Sequence, residues 1–150
     1  MAITPDATHA ESDRRLAAAL RGARRRVTSQ RLLIHRALAD LDRHVSAEEV
    51  LAAVSPGLPG ISLPTVYANL ELFEELGIVR RVSLGRGAAR FDPRTEPHHH
   101  LVCSRCGRLE DLDAAVDVGP ALRAASGSGF APSGAALVVT GLCAACAARS

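Results

Sequence analysis

The sequence predicts an α+β chain, with an N-terminal winged helix-turn-helix unit followed by a small α/β unit that carries a four-cysteine zinc site. Three observations predict it. Four amphipathic segments, most with a capping residue in front, run into a short basic hairpin. Beyond Arg94-Thr95-Glu96-Pro97 the pattern changes to short strands. Two Cys-x-x-Cys hooks, Cys103/Cys106 and Cys143/Cys146, punctuate that second part. The division is placed at 88/89, giving units 1–88 and 89–150.

The elements follow in order. Leu16 and Leu20 set a first helix over Asp13 to Ala23, weakened at its end by Gly22. Thr28 or Ser29 caps a second helix to about Leu41, with Leu32, Leu33, Leu38 and Leu41 inward. Ser46-Ala47-Glu48-Glu49 has the form of a capping box and opens a third helix to about Val54. Ser55-Pro56-Gly57-Leu58-Pro59-Gly60 is a loop. Ser62 then caps a fourth helix with Pro64 in its first turn and Val66, Leu70, Phe73 and Leu76 on one face, stopped by Gly77. Ile78 to Leu84 and Ala88 to Asp92 read as a hairpin with a basic tip at Gly85-Arg86-Gly87. In the second part, strands are expected at His99 to Cys103, Arg108 to Leu112 and Ala135 to Thr140, with a helix near Val116 to Ala125.

The 150 residues contain 18 arginines, no lysine and 16 acids, so the formal charge is only +2. The distribution is uneven. Residues 1–36 carry eight arginines against three acids, a net of +5. Such a cluster fits phosphate, although a solvated helix face produces the same pattern. Set before a winged helix, where the last helix before the wing enters the major groove, it favours a DNA-binding unit. No apolar run approaches the roughly 18 residues of a membrane span. Residues Met1 to Asp13 lack the basic start and apolar centre of a secretory signal and are expected to be mobile. A cytoplasmic protein with no membrane partner and no organic cofactor is expected.

The four cysteines are too few for a disulfide-built fold. Each hook turns both sulfurs to one side, and four thiolates are the set preferred by structural zinc. A site with four sulfurs has no open position for water, so zinc there is a staple. Redox dithiols or a pair of disulfides are the alternatives. A second constellation is Asp92, His98, His99, His100 and Asp111. On extended backbone His98 and His100 share a face and His99 points away. Two imidazoles and two carboxylates suit iron(II), manganese(II) or zinc. A solvated histidine loop is the plain alternative.

These strings together resemble the ferric uptake regulator family of metal-dependent repressors. The matching residues are Val27-Thr28-Ser29-Gln30-Arg31, His44-Val45-Ser46-Ala47-Glu48-Glu49, Thr65-Val66-Tyr67, Arg90-Phe91-Asp92 and His98-His99-His100-Leu101-Val102-Cys103-Ser104-Arg105-Cys106-Gly107, with the second cysteine hook behind them. The resemblance implies a homodimer, each subunit carrying a DNA-binding domain and a dimerisation domain joined by a hinge near residues 88–92. It supplies a ligand that spacing does not, His44, so that the regulatory set becomes His44, Asp92, His98, His100 and Asp111. It also implies contacts to double-stranded operator DNA from Tyr67, to a thymine methyl, and from Arg26, at a position that reaches the minor groove; Arg31, Thr65 and, at the basic tip of the hairpin, Arg86 complete the candidate DNA-binding residues. Aspartate at both 92 and 111 is similar to the peroxide-sensing branch, in which oxidation of a histidine ligand, corresponding to His44 or His98, releases the DNA. An iron- or zinc-uptake repressor is the neighbouring reading. Ala68 stands where many iron-uptake regulators have Arg, so the operator sequence does not carry over. Ala135 stands where relatives often have the histidine of a further metal site, and that site is not expected here.

Two other functions compete. A small metallohydrolase needs an open metal position and a poised base, as in H-E-x-x-H, and no such string occurs. A zinc-ribbon adaptor for protein partners would hold zinc without salt-dependent affinity for duplex DNA.

Overall fold

Caps and apolar spacing build the first half of the chain as the sequence predicts, with one extension at its start. The structure, a computed structural model, describes residues 7–84 and 87–149. Helix α1 spans Ala7–Gly22, beginning six residues earlier than expected. The polar segment before Asp13 is helical because α2, at Ser29–Leu41, binds it. His9 lies 2.7 Å from Asp40, and Arg36 donates from Nε to both Asp13 oxygens at 3.1 Å. The expectation of a mobile start is therefore corrected for residues 7–13, and the rest of that segment lies outside the described residues.

Thr28, not Ser29, is the cap of α2, accepting the Arg31 N–H at 3.2 Å. Helix α3, Ala47–Val54, begins with the complete capping box: Ser46 Oγ accepts from Glu49 N–H, and Glu49 accepts the Ser46 N–H at 2.8 Å. Helix α4, Leu63–Glu75, starts at Ser62 with Pro64 in its first turn. Gly77, at φ 70°, lets the chain reverse so that Ile78 N–H reaches the Phe73 carbonyl at 2.8 Å. Strands β1, Arg80–Val82, and β2, Arg90–Asp92, then pair antiparallel, with Arg81 opposite Phe91. Val45 bridges Phe91 from the other side. The hairpin is shorter than predicted, and Arg86 at its tip lies outside the described residues.

These elements make one compact unit: the described residues up to Val82 together with Ala89–Thr95. Leu20, Ile34, Val50, Val66, Phe73 and Phe91 are all fully buried in its core. Strand β2 belongs here because Phe91 is a core residue and pairs on both edges, although the division at 88/89 assigned it to the second unit.

The second unit comprises the described residues from Glu96 onward together with those between Val82 and Ala89. Strands β3, His99–Cys103, β4, Leu109–Leu112, and β5, Val138–Gly141, form a sheet in the order β4-β3-β5. β3 and β4 are antiparallel neighbours; β5 lies parallel to β3 after a crossover through α5, Gly119–Gly127. A short helix α6, Ala144–Ala147, was not expected from the sequence. Four residues are too few to show an apolar period.

Candidate metal centres and nucleic-acid interface

The thiol cluster follows from strand register. Cys103 ends β3 and pairs with Gly141 at the end of β5, which brings Cys143, two residues on, to the first hook. The first hook closes as a tight turn, Gly107 N–H donating to the Cys103 carbonyl at 2.9 Å. The second closes as the first turn of α6, with Ala147 N–H donating to the Cys143 carbonyl at 2.8 Å. Arg105 ties the two hooks together by donating to the Cys146 carbonyl at 2.8 Å. One sulfur from each of the four cysteines lies within 4.8 Å of the others, and all four are free of disulfides. Backbone N–H groups of Cys106 and Cys143 aimed at Cys103 hold its thiol down to about 5. Burial, and then the neighbouring thiols, push Cys146 up to about 12. One sulfur is thus prepared as a thiolate while Cys146 beside it resists ionising, and a divalent cation resolves that conflict. The residues fit a structural zinc ion.

Two further groups of metal-ligating side chains stand one in each unit. In the first unit, mutual hydrogen bonds between Val45 and Phe91, at 3.0 and 2.7 Å, place His44 beside Asp92. His44 Nε2 is 3.0 Å from Asp92 Oδ2, and both side chains are about 5% exposed. Arg90 braces this corner. It donates from Nη1 to Glu49 Oε2 at 3.3 Å and reaches the His44 carbonyl at 3.5 Å. Burial works against ionisation of Glu49, but the Ser46 N–H, Arg43 and Arg90 outweigh it and hold the carboxyl below its usual range. A buried carboxylate against a buried imidazole is an expensive pair unless a cation or proton joins it.

In the second unit, His98 and His100 point to one side, with ring centroids 4.4 Å apart. His100 pairs across the sheet with Asp111, and His98 Nε2 is 3.1 Å from Asp111 Oδ1. Because a carbonyl only accepts, the 2.7 Å contact between His98 Nδ1 and Glu96 O fixes the proton on Nδ1 and turns Nε2 inward as a donor for metal. Both histidines are buried; Asp111 is exposed. His99 points away, its Nδ1 accepting the Leu137 N–H at 2.9 Å, and Glu110 is engaged by Arg108.

The candidate DNA residues of the first unit lie around α4. Thr65 is in its first turn, its N–H donated to Ser62 Oγ at 3.4 Å. Tyr67 packs partly against the core, so only part of its ring faces solvent. Arg26 is exposed. Arg31 donates from Nη1 to the Arg26 carbonyl at 2.5 Å, an internal contact that the sequence did not reveal. Thr28, Gln30, Arg31, Pro64, Thr65, Ala68 and Asn69 line one open groove between the first turns of α2 and α4. Sequence reading missed Asn69. It is buried, and its Nδ2 donates to Thr65 O at 2.8 Å and Gln30 Oε1 at 3.4 Å, which locks α4 to α2. A polar residue on the inward face of a helix is the signal that marks it.

The sequence model described as the ferric uptake regulator family matches residues 23–137. The peroxide-responsive repressor PerR of Staphylococcus epidermidis is 42% identical over 95 residues, which are 63% of this chain and 63% of that protein. The chain thus spans less than two thirds of that relative's length. Among solved structures, the ferric uptake regulator of Vibrio cholerae aligns with a TM-score of 0.70 at 31% identity, covering 85% of this chain and 99% of that one. The ferric uptake regulator of Pseudomonas aeruginosa with manganese aligns with a TM-score of 0.68 at 30% identity, over 85% and 96%.

Proposed function

Because the chain belongs to the ferric uptake regulator family, we propose that it is a metal-dependent transcriptional repressor that binds operator DNA as a homodimer and senses peroxide through iron(II). The observation that carries this reading is the His44–Asp92 pair, buried at 3.0 Å, in a chain whose second unit presents the buried His98 and His100 beside Asp111. We assign the five residues to one ion, iron(II) or manganese(II). Zinc is assigned to Cys103, Cys106, Cys143 and Cys146.

Iron(II) in such a set supplies one-electron reduction of peroxide, which manganese(II) does not. The protein's part is to hold the donors. Glu96 O fixes the tautomer of His98, and the Val45–Phe91 bridge and Arg90 fix His44. Joining ligands from both units would set the spacing of two DNA-binding units in a dimer, the switch being occupancy of the site. Oxidation of His44 or His98 would remove a neutral imidazole donor and release the DNA. The 42% identity to a peroxide-responsive repressor supports this branch over metal-uptake control.

A homodimer is supported by the second unit's exposed apolar residues, Phe130, Leu137, Val138, Val139 and Leu142, which a second copy would cover. No helix among the described residues is long and apolar enough to cross a membrane, and we assign the repressor to the cytoplasm. Arg26, Arg31, Thr65, Tyr67 and Arg86 are proposed to meet the duplex. The test is to select duplexes from a random pool with manganese(II)-loaded protein and measure affinity against metal concentration. The His44→Ala variant should bind the selected duplex weakly at every manganese(II) concentration. A variant that keeps the parent's metal-dependent affinity would contradict the assignment of His44.

A further inference from the structure

The turn that leaves α1 places an arginine where left-handed backbone is required. Arg24 has φ 57°; among described non-glycine residues the only other positive value is 41° at Asp42. Asp42 closes α2, and a short acidic side chain tolerates that conformation. Arginine has no such tolerance, and a helix end of this kind ordinarily selects glycine. The bonds that need the turn are all backbone: Arg24 N–H to Arg21 O at 3.0 Å and Arg25 N–H to Leu20 O at 2.7 Å. They need a left-handed residue and make no use of a guanidinium.

The charge has two conceivable uses. One is to complement the carbonyl end of α1, which Arg21 in the last turn already does. The other is to meet an external anion, and the surroundings favour it. Arg14, Arg15 and Arg36 are engaged by Glu11 or Asp13, whereas among the described residues Arg24, Arg25 and Arg26 form no ion pair and are all exposed. The turn is also fixed. Arg31 holds the carbonyl of Arg26, and Thr28 caps α2 two residues later. That places the arginine turn at the edge of the groove shared by the first turns of α2 and α4.

We propose that Arg24 meets a phosphate on the DNA-binding surface and is kept in left-handed backbone for its charge. The inference rests on the duplex-binding reading above and adds to it an anchor at the end of α1. The guanidinium would neutralise a backbone phosphate beside the groove that α4 enters, contributing affinity without sequence preference.

The test uses the full chain, loaded with zinc and manganese(II), as parent, Arg24→Gly and Arg24→Lys. Binding to a fluorescent mixed-sequence duplex is measured over a salt series, alongside thermal unfolding. Arg24→Gly should unfold at the same or a higher temperature than the parent, because glycine relieves the turn. It should bind about tenfold more weakly at low salt, with the salt slope reduced by about 0.9 for each phosphate that is no longer neutralised. Arg24→Lys should keep the parent's slope. An Arg24→Gly protein with the parent's affinity and slope would overturn the proposal, as would one that loses thermal stability while binding normally, since the charge would then serve only the helix end. A parent with no salt-dependent duplex binding would take down the underlying reading, and this inference with it, before any variant is compared.

Discussion

The two units of this chain are stabilised by different physics. In the first, apolar side chains from all four helices and from β2, Leu16 of α1 through Phe91, form one continuous core, and polar caps close the helices around it. In the second, the buried apolar residues among those described are Val102, Cys103 and Cys146, while α5 buries none of its side chains and every residue of β5 is exposed. The first has the means to fold by burial. The second needs its thiol cluster and a covering surface, so metal binding there is folding free energy in the way that small zinc units show. The four-cysteine metal site thus stands in the half with the smaller core.

The sharpest way to break this comparison is to remove the thiol site. Cys143→Ser, or exhaustive chelation, should cost the second unit more than its own stability, since structural zinc is worth about 10–16 kcal/mol of apparent binding free energy. Hydrogen exchange should show protection abolished across β3, β4 and β5 and retained in α2, α3 and α4; a uniform fall would mean that the first unit does not stand by itself. The reciprocal experiment is Phe73→Ala. Phe73 is fully buried and meets the His35 ring edge-on at 5.8 Å, and its truncation should cost about 3–5 kcal/mol in denaturant unfolding of the first unit while the thiol cluster still binds zinc.

Smaller effects sharpen the account of the first unit. Ser46→Ala removes the capping box of α3 and should cost about 1 kcal/mol, read as a lower midpoint with an unchanged denaturant slope. Asp13→Asn tests the docking of α1. Arg36 hydrogen-bonded to Asp13 holds its carboxyl below the usual aspartate range, against an opposing effect of burial. The folded form therefore binds a proton less readily than the unfolded chain. The pair's contribution, about 1 kcal/mol or less for a partly exposed bond, is present at neutral pH and disappears as pH falls through the depressed value. Asp13→Asn should be less stable than the parent at pH 7, and the two should converge in acid.

The difference between the units also decides how much of each was legible in the sequence. Helices α2, α3 and α4 were readable to within a residue or two because their caps, Thr28, Ser46 and Ser62, and their buried faces are local signals. The thiol cluster was readable from the spacing of its hooks. Residues 7–13 were not, because their order comes from Asp40 and Arg36, which lie far along the chain. The hairpin that contains β2 was readable, but the division at 88/89 cut through it, because the burial of Phe91 in the first unit's core depends on Val45, far along the chain. His44 carries no local sign of a metal role. Resemblance named it, and the Val45–Phe91 bridge gives the physical reason that it stands next to Asp92. Asn69, Arg31 and Arg24 act through tertiary contacts or backbone conformation, which periodicity does not report.

The most direct test of the central claim is chemical. The purified protein is loaded anaerobically with iron(II), exposed to stoichiometric peroxide, and the peptides carrying His44 and His98 to His100 are weighed. The account predicts a gain of one oxygen on a histidine of these peptides, with the manganese(II)-loaded protein unchanged. Histidines left unmodified in the iron(II) form would contradict peroxide sensing and place the protein among repressors that report metal availability.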